Sequence, residues 1–122
     1  MARKPVMVVD DDTHIREALR EVLEDEGYAV VGFANGREAL EHLKAPRDGA
    51  PGLILLDLMM PVMNGWQFRQ AQLEDPSLAD IPVAVISADG GLIRQAASMN
   101  ATARLRKPIE LDELLETVGQ YC

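Results

Sequence analysis

Leu53-Ile54-Leu55-Leu56, closed by Asp57 and followed by Leu58-Met59-Met60-Pro61, is apolar at consecutive positions rather than alternate ones. A strand reads this way when both of its faces are buried, as in the interior of a parallel sheet. Two more runs, Val6 to Val9 and Pro82 to Ile86, are continuous in the same sense, and Ala29 to Phe33 and the weaker Ala103 to Leu105 complete a set of five. Helical spacing occupies the gaps. Ile15, Ala18, Leu19, Val22 and Leu23 recur at i, i+3, i+4, i+7 and i+8, which predicts an amphipathic helix stopped near Gly27. Ala39, Leu40 and Leu43 predict a shorter helix, and Leu111, Leu114, Leu115 and Val118 a last one that starts after Pro108. The stretches 65–74, with Trp66, Phe68 and Leu73, and 91–99, with Leu92, Ile93, Ala96 and Ala97, are less regular. They are assigned as helices from their place between strands as much as from their pattern. Strand and helix thus alternate five times, so the expected fold is α/β, a doubly wound five-stranded parallel sheet with helices on both faces.

The composition fits one domain spanning 1–122. A chain of 122 residues sits near the usual domain size and buries roughly 68% of its unfolded surface, enough for a core without staples. The single cysteine, Cys122, has no partner in the chain and fits a reducing compartment. No window offers the roughly 18 apolar residues of a membrane span. Met1 to Pro5 leads into too short an apolar run for a signal peptide. A cytoplasmic location is expected, with no membrane association. Twelve Lys and Arg stand against 20 Asp and Glu, a net charge of −8, which argues against direct nucleic-acid binding, because that affinity comes from clustered cations.

In an open parallel sheet, sites form beyond the carboxyl ends of the strands, where the strand order reverses. Asp10, Asp11 and Asp12 follow the first strand and Asp57 the third. If those strands are neighbours, the carboxylates converge, and like charges so close require a shared proton or a cation. Several carboxylate oxygens plus water suit Mg2+. Asp12 alone has an ordinary role as N-cap of the first helix. Asp57, closing an apolar run, gains nothing there from burial. Ser87 and Lys107 end the fourth and fifth strands and add a hydroxyl and a compact positive charge. A carboxylate nucleophile, a divalent ion, a hydroxyl and an ammonium are the parts of an aspartyl-phosphate chemistry.

With these residues in place, the sequence resembles the receiver domain of two-component response regulators. The likeness is carried by Val-Val-Asp-Asp-Asp at 8–12, Leu-Leu-Asp-Leu-Met-Met-Pro at 55–61, Met-Asn-Gly at 63–65, Ile-Ser-Ala at 86–88 and Arg-Lys-Pro at 106–108. It implies strand order 2-1-3-4-5 and Asp57 as phosphoacceptor, supplied by a histidine kinase or a histidine phosphotransfer protein. It implies that Asp11 ligates Mg2+ directly, Asp10 chiefly through water, and Met59 through its backbone carbonyl. It further implies a cis peptide before Pro108, a loop shaped by Pro61 and Gly65, Asn64 as cap of the third helix, and a small Ala88 that leaves Asp57 open to a donor. Phosphorylation would draw Ser87 inward and alter the face made by the fourth helix, fifth strand and fifth helix, which contacts a downstream partner. Such a chain is a switch rather than an enzyme with a separate substrate. It would serve as a stand-alone regulator, a phosphate relay or a piece of a larger protein.

The sequence departs from the family at Arg104, where many receivers have an aromatic residue three positions before the lysine. Arginine is expected to stay on the surface, either contacting a partner or a nearby carboxylate, or discouraging pairing of an edge strand. Asp89-Gly90-Gly91 predicts a mobile loop with a late or frayed helix start. His14 reads as a solvated helix residue, His42 as lacking a second ligand, Trp66 as a packing anchor, and Met59, Met60 and Met63 as loop packing. The rival is a Mg2+-dependent phosphohydrolase with an aspartate nucleophile. Such enzymes generally use an acid two residues later, where this chain has Met59.

Overall fold

The computed structural model describes residues 4–45 and 50–122. Met1 to Arg3 and the side chain of Ala97 lie outside the described set. The strands are β1 (Val6–Val9), β2 (Val30–Phe33), β3 (Leu53–Asp57), β4 (Val83–Ser87) and β5 (Ala103–Arg106). The helices are α1 (Thr13–Asp25), α2 (Gly36–Lys44), α3 (Gly65–Glu74), α4 (Gly90–Gln95) and α5 (Leu111–Tyr121), with a 3-10 turn over Ala96–Met99. All pairings are parallel and the strand order is β2-β1-β3-β4-β5.

The continuous apolar runs divide between two faces, as the alternation of strand side chains requires. Met7, Val9, Ile54, Leu56, Val83 and Val85 pack with Ala39 and Leu40 of α2, Phe68 of α3 and Ala96 after α4. Val6, Val8, Leu53, Leu55, Ala84, Ile86 and Leu105 pack with Leu19 and Leu23 of α1 and Leu114 and Val118 of α5. Each face of the central strands is therefore covered by helices, which is why β1, β3 and β4 tolerate no polar residue until their carboxyl ends.

Local chemistry sets the helix ends. Asp12 caps α1, accepting from the amides of His14 and Ile15, and Gly27, at φ 90°, takes the left-handed conformation that lets the chain leave the helix. A capping box of Asn64 and Gln67 starts α3. Gly65 lies so close to the preceding strand that a Cβ there would stand 2.8 Å from Leu58 Cα and 2.9 Å from the Asp57 carbonyl oxygen.

Three readings need correction. The start of α4 is not late: the Asp89 carboxylate accepts from the amides of Gly91 and Leu92 and begins the helix at Gly90, offsetting the poor propensity of two glycines. The expected helix over 91–99 is instead short and ends in a 3-10 turn. In α3, Leu73 is exposed, and Arg69 and Gln72 are buried beside Phe68. Trp66 does pack against the core cluster. Because α4 has no fully buried residue, its amides are expected to exchange with solvent faster than those of β1, β3 and β4. Hydrogen exchange followed by mass spectrometry checks this, and protection equal to the central strands would contradict it.

Candidate functional site

β1 and β3 are adjacent, and their carboxyl ends open beside the point where the chain order reverses. Asp10, one residue past β1, and Asp57, the last residue of β3, are therefore brought together. Asp10 is 0% exposed and Asp57 4%. Asp11 is exposed at the mouth, and carboxylate oxygens of Asp10, Asp11 and Asp57 lie within 4.8 Å of one another. The Lys107 ammonium, entering from the end of β5, stands 3.0 Å from Asp10 Oδ2 and 3.5 Å from Asp57 Oδ2. The Lys107–Pro108 peptide is cis. Ser87 is buried at the end of β4, where its Oγ accepts from the Asp89 amide at 3.1 Å. Asp11, Asp57, Ser87 and Lys107, with Met59, Ala88 and Leu92, border a cleft of about 380 Å³.

The charges are unevenly compensated. Burial first, then the charge of Asp10, pushes the Asp57 carboxyl from 3.8 up to about 6, against the opposing pull of Lys107 and the Met59 amide. The Met59 amide donates to Asp57 Oδ1 at 3.2 Å. Burial acts to lower the Lys107 ammonium, but its close ion pair with Asp10 and the charge of Asp57 outweigh it, so the group is held above its ordinary value. One cation faces three carboxylates. The buried Asp10 Oδ2 has the Lys107 ion pair and no hydrogen bond, a lone pair available to an ion. The donor set is all oxygen and anionic, so the site fits a hard divalent cation.

The structure thus gathers Asp10, Asp11, Asp57, Ser87 and Lys107, with the Met59 backbone alongside. Asp12 is turned to its helix, as a cap. Arg104 is exposed on β5 and makes no ion pair with a described carboxylate, so of the surface roles expected for it the nearby carboxylate is not met. Sequence reasoning missed Arg16. Its Nη1 donates to the Asp10 carbonyl at 2.7 Å, from a position outside the apolar spacing of α1. Its spacing to Asp10, six residues on along the next helix, carried no signal.

A larger, apolar groove of about 550 Å³ lies beside the cleft, between α1 and the start of α5. Ile15, Leu19, Val22, Ile109 and Leu111 line it, and it shares Ala88 and Lys107 with the acidic site. Leu111, grouped by its spacing with the buried face of the last helix, is 53% exposed here.

The family model for the response regulator receiver domain matches residues 6–119. Among curated proteins, the chain is 34% identical to the transcriptional regulatory protein CrdR of Helicobacter pylori over 98% of its own length and 55% of that protein. It thus spans about half of that relative. It is 32% identical to sporulation initiation phosphotransferase F of Bacillus subtilis, covering 99% of this chain and 95% of that one. Among solved structures, chemotaxis protein CheY4 of Vibrio cholerae superposes with a TM-score of 0.85 at 30% identity, over 99% of this chain and 100% of the other. No described helix is long and apolar enough to cross a membrane.

Proposed function

Because the chain belongs to the response regulator receiver domain family of two-component systems, we propose that it is a phosphorylation switch whose phosphoacceptor is Asp57. The observation that carries the reading is the convergence of three carboxylate ligands, one lysine and one hydroxyl on a single cleft. Asp57 Oδ attacks phosphorus, the bond from phosphorus to the phosphohistidine nitrogen of a histidine kinase or phosphotransfer protein breaks, and an acyl phosphate remains. Lys107 neutralises the phosphoryl oxygens as charge spreads over them, and Ser87 supplies a hydroxyl donor. Mg2+ held by Asp10, Asp11, Asp57 and the Met59 carbonyl would shield the repulsion between acids and phosphate. Met59 stands where an aspartate-nucleophile phosphohydrolase generally carries its second acid, two residues after the nucleophile, which favours a cytoplasmic switch over a phosphohydrolase.

Intact mass spectrometry after incubation with acetyl phosphate and Mg2+ tests this. One phosphoryl adduct per chain, base-labile, not formed when EDTA is present during the incubation and absent from Asp57→Asn, is the expected result; continuous turnover of a phosphomonoester, or an adduct retained in Asp57→Asn, would refute it.

The apolar groove between α1 and α5 shares Ala88 and Lys107 with the same cleft, which supports docking of the protein donor there. Leu111→Glu changes an exposed side chain on that groove and is expected to slow phosphoryl transfer from a histidine-bearing protein at least about tenfold, a loss of roughly 1.4 kcal/mol. Phosphorylation by acetyl phosphate should be unchanged. Equal rates from both donors would remove the groove from the mechanism. The exposed Arg94, Arg104 and Arg106 on the α4, β5 and α5 face support that face as the contact for a downstream protein partner.

A further inference from the structure

We infer that Arg16 is a positioning residue for the metal-binding turn, fixing the Asp10 carbonyl and with it the peptide that leads into Asp11; this rests on the proposed Mg2+ site. The 2.7 Å bond from Arg16 Nη1 to the Asp10 carbonyl is short and charge-assisted. On either side of Asp11 the turn is otherwise anchored. The Asp10 amide donates to the Phe33 carbonyl at 3.1 Å, and Asp10 Oδ1 accepts from the Asp12 amide at 2.9 Å. Asp11 itself is exposed, and its side chain makes no hydrogen bond or ion pair with a described residue. Its direction therefore comes from its backbone, and the Asp10–Asp11 peptide is the plane that Arg16 holds.

The reach of Arg16 depends on Gly32 of β2. A Cβ at that position would stand 3.2 Å from Arg16 Cδ and 3.3 Å from Cγ, so the absent side chain is the berth in which the arginine stem lies. Arg20, one turn further along α1, uses the same berth, its Nη2 standing 3.1 Å from that Cβ position. It makes no bond to the turn, and its buried Nε has no hydrogen-bond partner among the described residues. Two like-charged arginines therefore share one location, and only one ends on the metal-binding turn.

This pairing separates positioning from charge by the sign of the effect. Removing a cation from the neighbourhood of an acidic site strengthens Mg2+ binding if Coulomb attraction is all that matters. Losing the orientation of a ligand weakens it, commonly by tenfold or more. Isothermal titration of Mg2+ into the full chain is expected to show about tenfold weaker binding for Arg16→Gln. Arg20→Gln should bind as tightly as the unsubstituted chain or slightly more tightly. Arg16→Lys, which can still give one N–H to the carbonyl, should recover part of the loss. Gly32→Ala, which crowds the stem without touching the turn, should fall in the same direction. In the metal-free proteins, the Asp11 amide resonance should move in Arg16→Gln and stay in place in Arg20→Gln. Binding by Arg16→Gln as tight as the unsubstituted chain, or an equal loss in Arg20→Gln, overturns the positioning role alone. Failure of the unsubstituted chain to bind Mg2+ overturns the metal reading with it.

Discussion

In metal-free solution at neutral pH, Asp57→Asn is expected to be more stable than the unsubstituted chain by about 1–3 kcal/mol. Burial and the neighbouring Asp10 raise the Asp57 carboxyl from 3.8 to about 6, so the folded state holds this proton more tightly than the unfolded state does. Stability is then lost as pH rises from the unfolded value through the folded one, and the full penalty is present at neutral pH. A rise of about two units corresponds to roughly 3 kcal/mol, and the forfeited Lys107 ion pair reduces the gain from removing the charge. Asparagine keeps an acceptor for the Met59 amide, which leaves that contact in place. Near pH 4 the two proteins should converge, because the carboxyl is then largely protonated in the fold. Mg2+ should raise the unfolding midpoint of the unsubstituted chain and change that of the variant much less, through preferential binding to the folded state. Urea denaturation at both pH values, with EDTA and with Mg2+, checks all three. A variant less stable than the parent at neutral pH without metal would show that the acids are not in conflict.

Gln72→Leu is expected to destabilise the fold by about 3–5 kcal/mol, although it replaces a polar residue in the core by an apolar one. Gln72 is 0% exposed. Its Nε2 donates to the carbonyls of Leu78 and Ile81, both at 2.9 Å, and its Oε1 accepts from Arg69 Nη1 at 2.8 Å. Arg69 in turn donates to the carbonyls of Met99 and Asn100. One pair of side chains on α3 thus ties the loop before β4 to the turn before β5. Leucine would take the Gln72 donor from the Ile81 carbonyl, leave the Leu78 carbonyl with the Ile81 amide alone, and leave a guanidinium, already lowered by burial from its ordinary value, with one partner fewer. Arg69→Met should also be costly, and the double variant should cost less than the two losses added, since the pair forms one network. A loss under about 1 kcal/mol in Gln72→Leu, measured by urea denaturation, would mean that the network is dispensable.

Most of the architecture was legible from local pattern. Continuous apolar runs at 6–9, 53–56 and 82–86 mark strands covered on both faces, and each lies within one residue of an observed strand boundary. Asp10, Asp57, Ser87 and Lys107 stood out because each is an ionisable or polar residue that follows the apolar run of a strand, where sites of open parallel sheets form. The regular spacing in α1 and α5 made those helices plain. In α3 hydropathy alone favours Leu73 for the core, whereas Gln72 is buried because two carbonyls of the loop before β4 accept from it. At Asp89-Gly90-Gly91 the glycines suggested a late start, and the cap outweighed them.

Residue order along the chain settled the alternation of strands and helices and the chemistry placed at the strand ends, since both depend on neighbours within a few positions. The packed molecule alone settled which ends meet. The nearness of Asp10 and Asp57 arises from the pairing of β1 with β3, the burial of Arg69 and Gln72 from loops 6 to 31 residues away, and the hold of Arg16 on the Asp10 carbonyl from the space over Gly32. Each is a contact between segments whose separation in sequence carries no period, so no local pattern encodes it.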